Sequence, residues 1–321
     1  MAETYKMKVS NQHLHASFSK EYEPIMTIRS GDSIEFNTID IGWGINAKNG
    51  ERIRYQSREQ EEAWGHPMVG PIYIQDAKPG MTLEVKINKI KTGWYGWNCA
   101  GGKINWQNNV LNIAESPEVT LNWTINEENK TAKTHVKDQE FTVPLKPFLG
   151  VLSTSPSESG VHSTIPPRYC GGNIDCKELV EGSTVYLPIT VEGALFSAGD
   201  GHAAQGDGEV SGQAIESPFD QVNLTLTVIE DLQLKMPRAN TPAGWITFGF
   251  DEDLNKATAI ALEGMIELMQ EIYQIEKTEA VALASVCVDL KITQIVNQVK
   301  GVHAILPHNH LFSTVVDKSK E

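Results

Sequence analysis

Up to about Glu230, apolar and polar positions alternate in short runs interrupted by Gly, Pro, Ser and Asp, and this period of two predicts strands rather than helices. The stretch PIMTIRSGDSIEFNTID, residues 24–40, alternates on both sides of a Ser-Gly-Asp turn. GPIYIQDAKPGMTLEVKINKI, residues 70–90, does so around Lys-Pro-Gly, and each stretch predicts a hairpin-like unit. EVTLNWTI, STVYLPITVEGAL and QVNLTLTVIEDLQL carry the same signal, reinforced by Val, Ile, Thr and Tyr. The pattern changes after LKMPRANTPAG, residues 234–244, where two prolines and a glycine mark a boundary. Beyond it Leu254, Ala257, Ala261, Met265, Leu268, Met269 and Ile272 recur at three- and four-residue spacing, which predicts one amphipathic helix packed on one face. A second helix is expected from a Thr278 N-cap, followed by a strand within VCVDLKITQIV. The fold class that follows is mainly β, an antiparallel sandwich or barrel with a C-terminal α/β segment. Its expected divisions are a β-sandwich region over 1–115, a second β region over 116–235 and the α/β segment over 236–321.

Composition narrows the function classes. The 321-residue chain carries 27 basic and 41 acidic residues, a formal charge of -14. Such a balance repels nucleic-acid phosphates and anionic membrane surfaces, so neither is an expected partner. The N-terminal stretch lacks the apolar core of a signal peptide, and nowhere does the sequence offer the roughly 20 apolar residues a membrane helix needs. A soluble, cytoplasmic protein is expected. Cys99, Cys170, Cys176 and Cys287 lack the close pairing of a thiolate zinc site, and reduced thiols are the simplest reading.

The candidate chemistry concentrates in VEGALFSAGDGHAAQGDGEVSG, residues 191–212, where Asp200, His202, Asp207 and Glu209 stand among five glycines between Gly199 and Gly212. On these residues alone two readings stay open: a polar surface turn, or a loop folded closely around a metal or catalytic site. Asp200 and His202 form a D-x-H pair that points to one face if the chain is extended, and carboxylate plus imidazole suits zinc. His13 and His15 form an H-x-H pair with the same geometry, though two such histidines are more often packing or surface residues. His15 and Asp40, at the ends of other predicted elements, are further candidate ligands. Asp207 and Glu209 are candidate proton carriers beside a metal-activated water. In PPRYCGGNIDCKEL, Cys176 has no nearby histidine to serve as its base, which argues for a structural thiol. Asn173 in the same stretch offers a donor and an acceptor to an amide.

Taken in order, SGDSIEFNTID, HPMVGPIYI, KPGMTLEVKI, TIPPRYCGGNIDCKEL and GDGHAAQGDGEVSGQAIE resemble the acetamidase/formamidase family over nearly the whole chain. The resemblance implies a jelly-roll-like sandwich with a smaller barrel-like β region and a following α/β segment. It also implies hydrolysis of short amides to carboxylate and ammonia, a divalent metal, zinc first, and assembly at least to homodimers. Calcium is a candidate for a second site. The resemblance moves the glycine-rich loop to the active-site reading, with Asp200, His202, Asp207 and Glu209 on its most characteristic motif. Asp40 matches an acidic residue after the first hairpin, Asn173 and Asp175 match the GGN-x-D motif, and His66 before Pro67 is a candidate substrate contact. The N-terminal HLH departs from the family pattern. Two other functions compete: a same-fold hydrolase of cyclic or longer amides such as lactams, and a non-catalytic sandwich that binds calcium or carbohydrate.

Overall fold

The computed structural model describes residues 2–59 and 65–313, and these form a mainly β architecture with a C-terminal α/β segment. A nine-stranded sheet runs in the order Thr4–Lys6, Asp32–Phe36, Phe219–Ile229, Thr82–Thr92, Thr184–Pro188, Arg238–Thr241, Gly244–Asp251, Val299–Pro307, Asp289–Asn297. A seven-stranded sheet is built on Gly171–Asn173, Phe148–Ser153, Phe196–His202 and Met68–Ile74, in that order, with short strands at its margins. The two share one apolar core, to which the nine-stranded sheet contributes Ile34, Phe36, Leu83, Val85 and Leu224, and the seven-stranded sheet Ile72, Ile74, Leu149, Leu152 and Phe196. Alternation along each strand buries one face of side chains in this sandwich. None of the described sheets closes into a barrel; a smaller β unit is an open four-stranded antiparallel sheet, Tyr95–Ala100, Val119–Asn126, Thr131–Val136 and Gln139–Pro144. The nine-stranded sheet draws strands from all three chain segments anticipated from the sequence, so those segments share a core.

Both anticipated hairpins are corrected. Met26–Ile28 pairs in parallel with Met68–Ile74, whereas Asp32–Phe36 pairs with Thr4–Lys6 and Phe219–Ile229. Likewise Met68–Ile74 and Thr82–Thr92 lie in opposite sheets. In each case the turn carries the chain from one layer of the sandwich to the other. Local alternation does not distinguish the two outcomes, because either one buries the same apolar residues.

The expected helix is Leu254–Tyr273, capped by Asp253, whose side chain accepts from Asn255 N. It buries Ala257, Ala261, Met265, Leu268 and Met269, together with Ile266, against the nine-stranded sheet, while Ile272 at its end is exposed. The second helix, Lys277–Cys287, starts two residues earlier than a Thr278 N-cap implies: Glu276 and Glu279 form a reciprocal capping box, displacing Thr278 from the N-cap role. Asp289–Asn297 is the strand that follows. Among the described residues no helix is long and apolar enough to cross a membrane.

Candidate active site

The strand Phe196–His202 ends at the junction of three sheets, and this junction gathers the acidic loop. From His202 the chain runs through Gly208, which bridges to Gln294 at the edge of the nine-stranded sheet, to Glu216, which bridges to both His202 and Trp97 of the four-stranded sheet. Gly208 N donates to Thr293 O at 3.0 Å and Gly208 O accepts from Ile295 N at 3.2 Å, so the loop is pinned as if it were a short extra strand. On the other side, Gly171–Asn173 pairs with Phe148–Ser153, and Asp175 N donates to Gly150 O at 3.2 Å.

Asp175, Asp200, His202, Glu209 and Glu216 thereby converge, all of them buried. His202 Nε2 lies 3.1 Å from Asp200 Oδ2 and 3.4 Å from Glu216 Oε2, and its Nδ1 lies 3.9 Å from Asp175 Oδ1. The imidazole is oriented by Gln205, whose Oε1 accepts from Nδ1 at 2.9 Å while its Nε2 donates to Asp175 O at 2.8 Å. That contact assigns the Nδ1 proton and leaves Nε2 facing the carboxylates, the arrangement that a ligating histidine requires. Phe148, opposite His202 in the sheet, packs edge-on against the ring at 5.0 Å between centroids. Gly150 falls opposite Asp200, between the pairs Leu149–Gly201 and Val151–Gly199. A Cβ there would press into Asp200 Oδ2 and lie 2.8 Å from Asp175 Oδ1 and 2.9 Å from His202 Cε1. Glycine is what lets this strand back the cluster so closely.

Crowding of like charge away from water sets the protonation of the cluster. Burial, then the neighbouring Asp175, raises Glu209 well above the ordinary carboxylate range. Burial likewise raises Asp175 to about 8 and Glu216 to about 7. For Asp200 burial acts upward but is outweighed by His202 and His66, leaving the group at about 2. His202 is raised: burial opposes its charge, and Asp200 with Glu216 more than compensates. Asp175 Oδ1, Asp200 Oδ1, Glu209 Oε2 and Glu216 Oε2 are all buried without a hydrogen-bond partner. Orphaned carboxyl oxygens around one imidazole fit a divalent cation. The two candidate ligand groups, Asp175–Asp200–His202 and His202–Glu209–Glu216, share His202 and so describe one centre.

The other anticipated site residues lie elsewhere or at the margin. Asp40 does not join the ligands: Arg52 donates to both its oxygens at 2.9 and 2.8 Å, and Tyr95 Oη and Gly42 N donate at 2.7 and 2.9 Å. His15 does not join them either, because both ring nitrogens are occupied, Nδ1 by Ser17 O at 2.7 Å and Nε2 by Ser197 Oγ at 2.9 Å. Asp207 turns away from the cluster to pair with Lys177 at 2.7 Å, which leaves it poorly placed to carry a proton there. His66 stays near the centre: its Nδ1 meets Thr164 Oγ1 at 3.0 Å, and its ring lies within electrostatic reach of Asp200 and His202, though burial is what lowers its basicity. Asn173 is buried with Nδ2 donating to Ile165 O at 3.1 Å and Oδ1 without a partner. Glu216 and Gln205 were not anticipated, although both lie within the quoted GDGHAAQGDGEVSGQAIE motif. Asp175 matches the GGN-x-D motif, which by itself assigns it no role.

The acetamidase/formamidase family model matches residues 2–163 and 159–312 of the chain. The chain belongs to the acetamidase/formamidase family. Within this family it is 35% identical over 198 residues to an acetamidase of Mycolicibacterium smegmatis, a match covering 56% of the chain and 46% of that protein. The chain thus spans less than half the length of that curated relative. Solved structures of family members align over almost the full chain. The structure of a predicted acetamidase/formamidase from Thermoanaerobacter tengcongensis superposes with a TM-score of 0.79 at 31% identity, over 95% of this chain and 96% of that one. For an acetamidase from Bacillus halodurans the TM-score is 0.78 at 29% identity, with 94% and 97% covered.

Proposed function

We propose that this acetamidase/formamidase family member hydrolyses short linear amides, formamide or acetamide, to a carboxylate and ammonia with the help of a divalent cation. The observation that carries the reading is the buried cluster of four carboxyl groups around His202, with four carboxyl oxygens lacking partners. Asp200, His202 and Glu216 would hold the cation, with Asp175 completing the set. When bound, the cation supplies Lewis acidity toward a carbonyl oxygen and offsets the charge of the carboxylates. Zinc is the first choice because an imidazole shares the site with carboxylates.

Within this frame Glu209 is the proton carrier. It is buried at the edge of the cluster, and burial with the Asp175 charge makes it a stronger base than an exposed glutamate. It would take a proton from the attacking water and deliver it to the amide nitrogen, so that ammonia leaves as a neutral molecule. Gln205 keeps His202 in one tautomer throughout. His66, within electrostatic reach of Asp200 and His202, and the buried Asn173, whose Oδ1 lacks a partner, are proposed to hold the carbonyl end of the substrate. The working protein is proposed to be cytoplasmic and at least dimeric.

The decisive assay is ammonia release from formamide, acetamide and a lactam by protein analysed for bound metal, before and after chelation. Turnover of the linear amides that disappears with the metal and returns with zinc supports the reading. Full turnover in metal-free protein overturns the cation's part, and turnover of the lactam alone overturns the substrate.

A further inference from the structure

Two cavities of about 580 and 720 Å³ open around Lys6 and Phe36 and around Glu158 and Phe250, and neither is lined by any of the five clustered donors. A much smaller cavity of about 130 Å³ adjoins the cluster, lined among others by Cys99, Gln107, Gly212, Gln213, Val296 and Asn297. Asn297 Nδ2 donates to Asp175 Oδ2 at 3.3 Å, Gly212 N donates to Glu209 O at 2.8 Å, and Ala214 N donates to Glu216 Oε1 at 3.0 Å. One wall of the cavity is therefore the same chain that carries the carboxylates.

Gln107 is the anomaly in this cavity. It is only 6% exposed, yet its carboxamide has no hydrogen-bond partner among the described residues. Gly212, at φ 83°, brings the opposite wall close: a Cβ there would stand 3.1 Å from Gln107 Nε2. The polar atoms of Gln107 are not among the fully buried unpaired ones, so they face the open cavity, where a polar ligand can reach them. Four further carboxamides line the same space, each with one end committed: Asn105 Oδ1 accepts from Asn108 N at 2.8 Å and Asn108 Nδ2 donates to Lys103 O at 2.9 Å, while Gln213 and Asn297 stand across from them. Gln213 Oε1 accepts from Cys99 N at 2.7 Å, leaving its Nε2, and Asn297 gives Nδ2 to Asp175, leaving its Oδ1.

We propose that Gln107, with Gln213 and Asn297, forms the subsite that selects primary amides and limits their size. The proposal rests on the amide-hydrolysis reading and adds the residues that recognise the substrate. A primary amide offers one carbonyl acceptor and two N–H donors, and the three side chains offer both kinds of partner. The one charged residue lining the cavity, Lys103, is exposed. A neutral amide is therefore met by neutral dipoles. At about 130 Å³ the space is well below the range of pockets for drug-sized ligands, which favours short acyl groups.

The test compares wild type with Gln107→Met, a swap of similar volume that removes both polar atoms. Readouts are kcat and KM for formamide, acetamide and butyramide, acetamide binding by saturation-transfer NMR, and the melting temperature. The expected result is a rise in KM and Kd for acetamide of about tenfold, a smaller fall in kcat, and an unchanged or higher melting temperature, since no internal hydrogen bond is lost. Butyramide should be a poor substrate of both proteins. Unchanged KM and Kd in an active Gln107→Met protein overturn the subsite and leave amide hydrolysis standing. Weakened acetamide binding by the variant, with no amide turnover even in wild type, sinks the hydrolysis reading and keeps the subsite. A wild type that neither binds nor hydrolyses acetamide sinks both.

Discussion

Replacing Gly150 with alanine adds one methyl group at the back of the cluster, and its effect follows from the geometry. Gly150 lies outside the left-handed region, so alanine can adopt its backbone conformation. The difficulty is space: the new carbon would fall 2.8 Å from Asp175 Oδ1 and 2.9 Å from His202 Cε1, and nearer still to Asp200 Oδ2. Ordinary contacts between such atoms are about 3.5 Å or more, so each of the three side chains must retreat by roughly half an ångström or more. Binding constellations tolerate about 0.5 Å, and a displacement near 1 Å costs on the order of 10²-fold in rate, about 2.7 kcal/mol on the barrier. The overpacking itself costs about 1–3 kcal/mol of stability. Gly150→Ala should therefore fold, melt a few degrees lower, lose most bound metal and fall about 10²-fold or more in formamide turnover. Metal content by elemental analysis, calorimetric melting and ammonia release are the assays. A Gly150→Ala protein with full metal and full turnover would show that Asp175, Asp200 and His202 do not form the working centre.

Three further outcomes separate the roles assigned above. Glu209→Gln keeps the shape but cannot accept a proton, so turnover should drop about 10²-fold or more while metal content and melting temperature stay near wild type; loss of metal instead would make Glu209 a ligand. Arg52→Met leaves the buried Asp40 carboxylate with only the Tyr95 and Gly42 donors, which should destabilise the fold by about 2 kcal/mol without changing bound metal; a stoichiometric loss of metal would restore Asp40 to the ligand set. His15 is held neutral by burial down to about 4, against 6.5 when exposed, so the unfolded state binds more protons between those values and stability falls as pH drops through that window. The full effect is about 3 kcal/mol, and His15→Gln should flatten the decline of melting temperature between pH 6.5 and 4; an equally steep decline in the variant would place the acid sensitivity elsewhere.

The sequence made some of this arrangement legible and concealed the rest for identifiable reasons. Asp200, His202 and Glu209 stood out because ionisable residues among glycines have few structural uses other than turns and sites. Glu216 did not, because QAIESP reads as an ordinary alternation of inward and outward side chains, and only the bridge to His202 turns its carboxylate toward the centre. Gly150 had a faint signal as a glycine inside the apolar run FLGVL, where a missing side chain marks a close approach. Asp40 and His15 misled for a common reason: their partners, Arg52 and Ser197, are chosen by tertiary contact, and strand-end position says nothing about which partner will arrive. The helices were readable because their packing is periodic in one segment. The sheet pairings were not, because a turn between two alternating strands serves a hairpin and a crossing between layers equally well.

Backbone conformation ties the cluster to the rest of the fold. Asp175, Asp200 and Glu209 all have positive φ, at 53°, 63° and 48°. For residues with a Cβ this costs about 1–2 kcal/mol each and persists only where surrounding hydrogen bonds hold it. Those bonds are present: Asp175 N is tied to Gly150 O, Glu209 N to Gly206 O, and the flanking Gly208 to the edge of the nine-stranded sheet. A left-handed residue interrupts strand alternation, so successive carboxylates can face one point instead of opposite sides of a sheet. The result is unfavourable on two counts, since the backbone is strained and the carboxylates repel in a buried space where protons on Glu209, Asp175 and His202 relieve the charge. A positive ion at that point relieves the second count directly. Folding energy from the sandwich core maintains the first, which is why the acidic loop is pinned at both ends to sheets rather than left as an open turn.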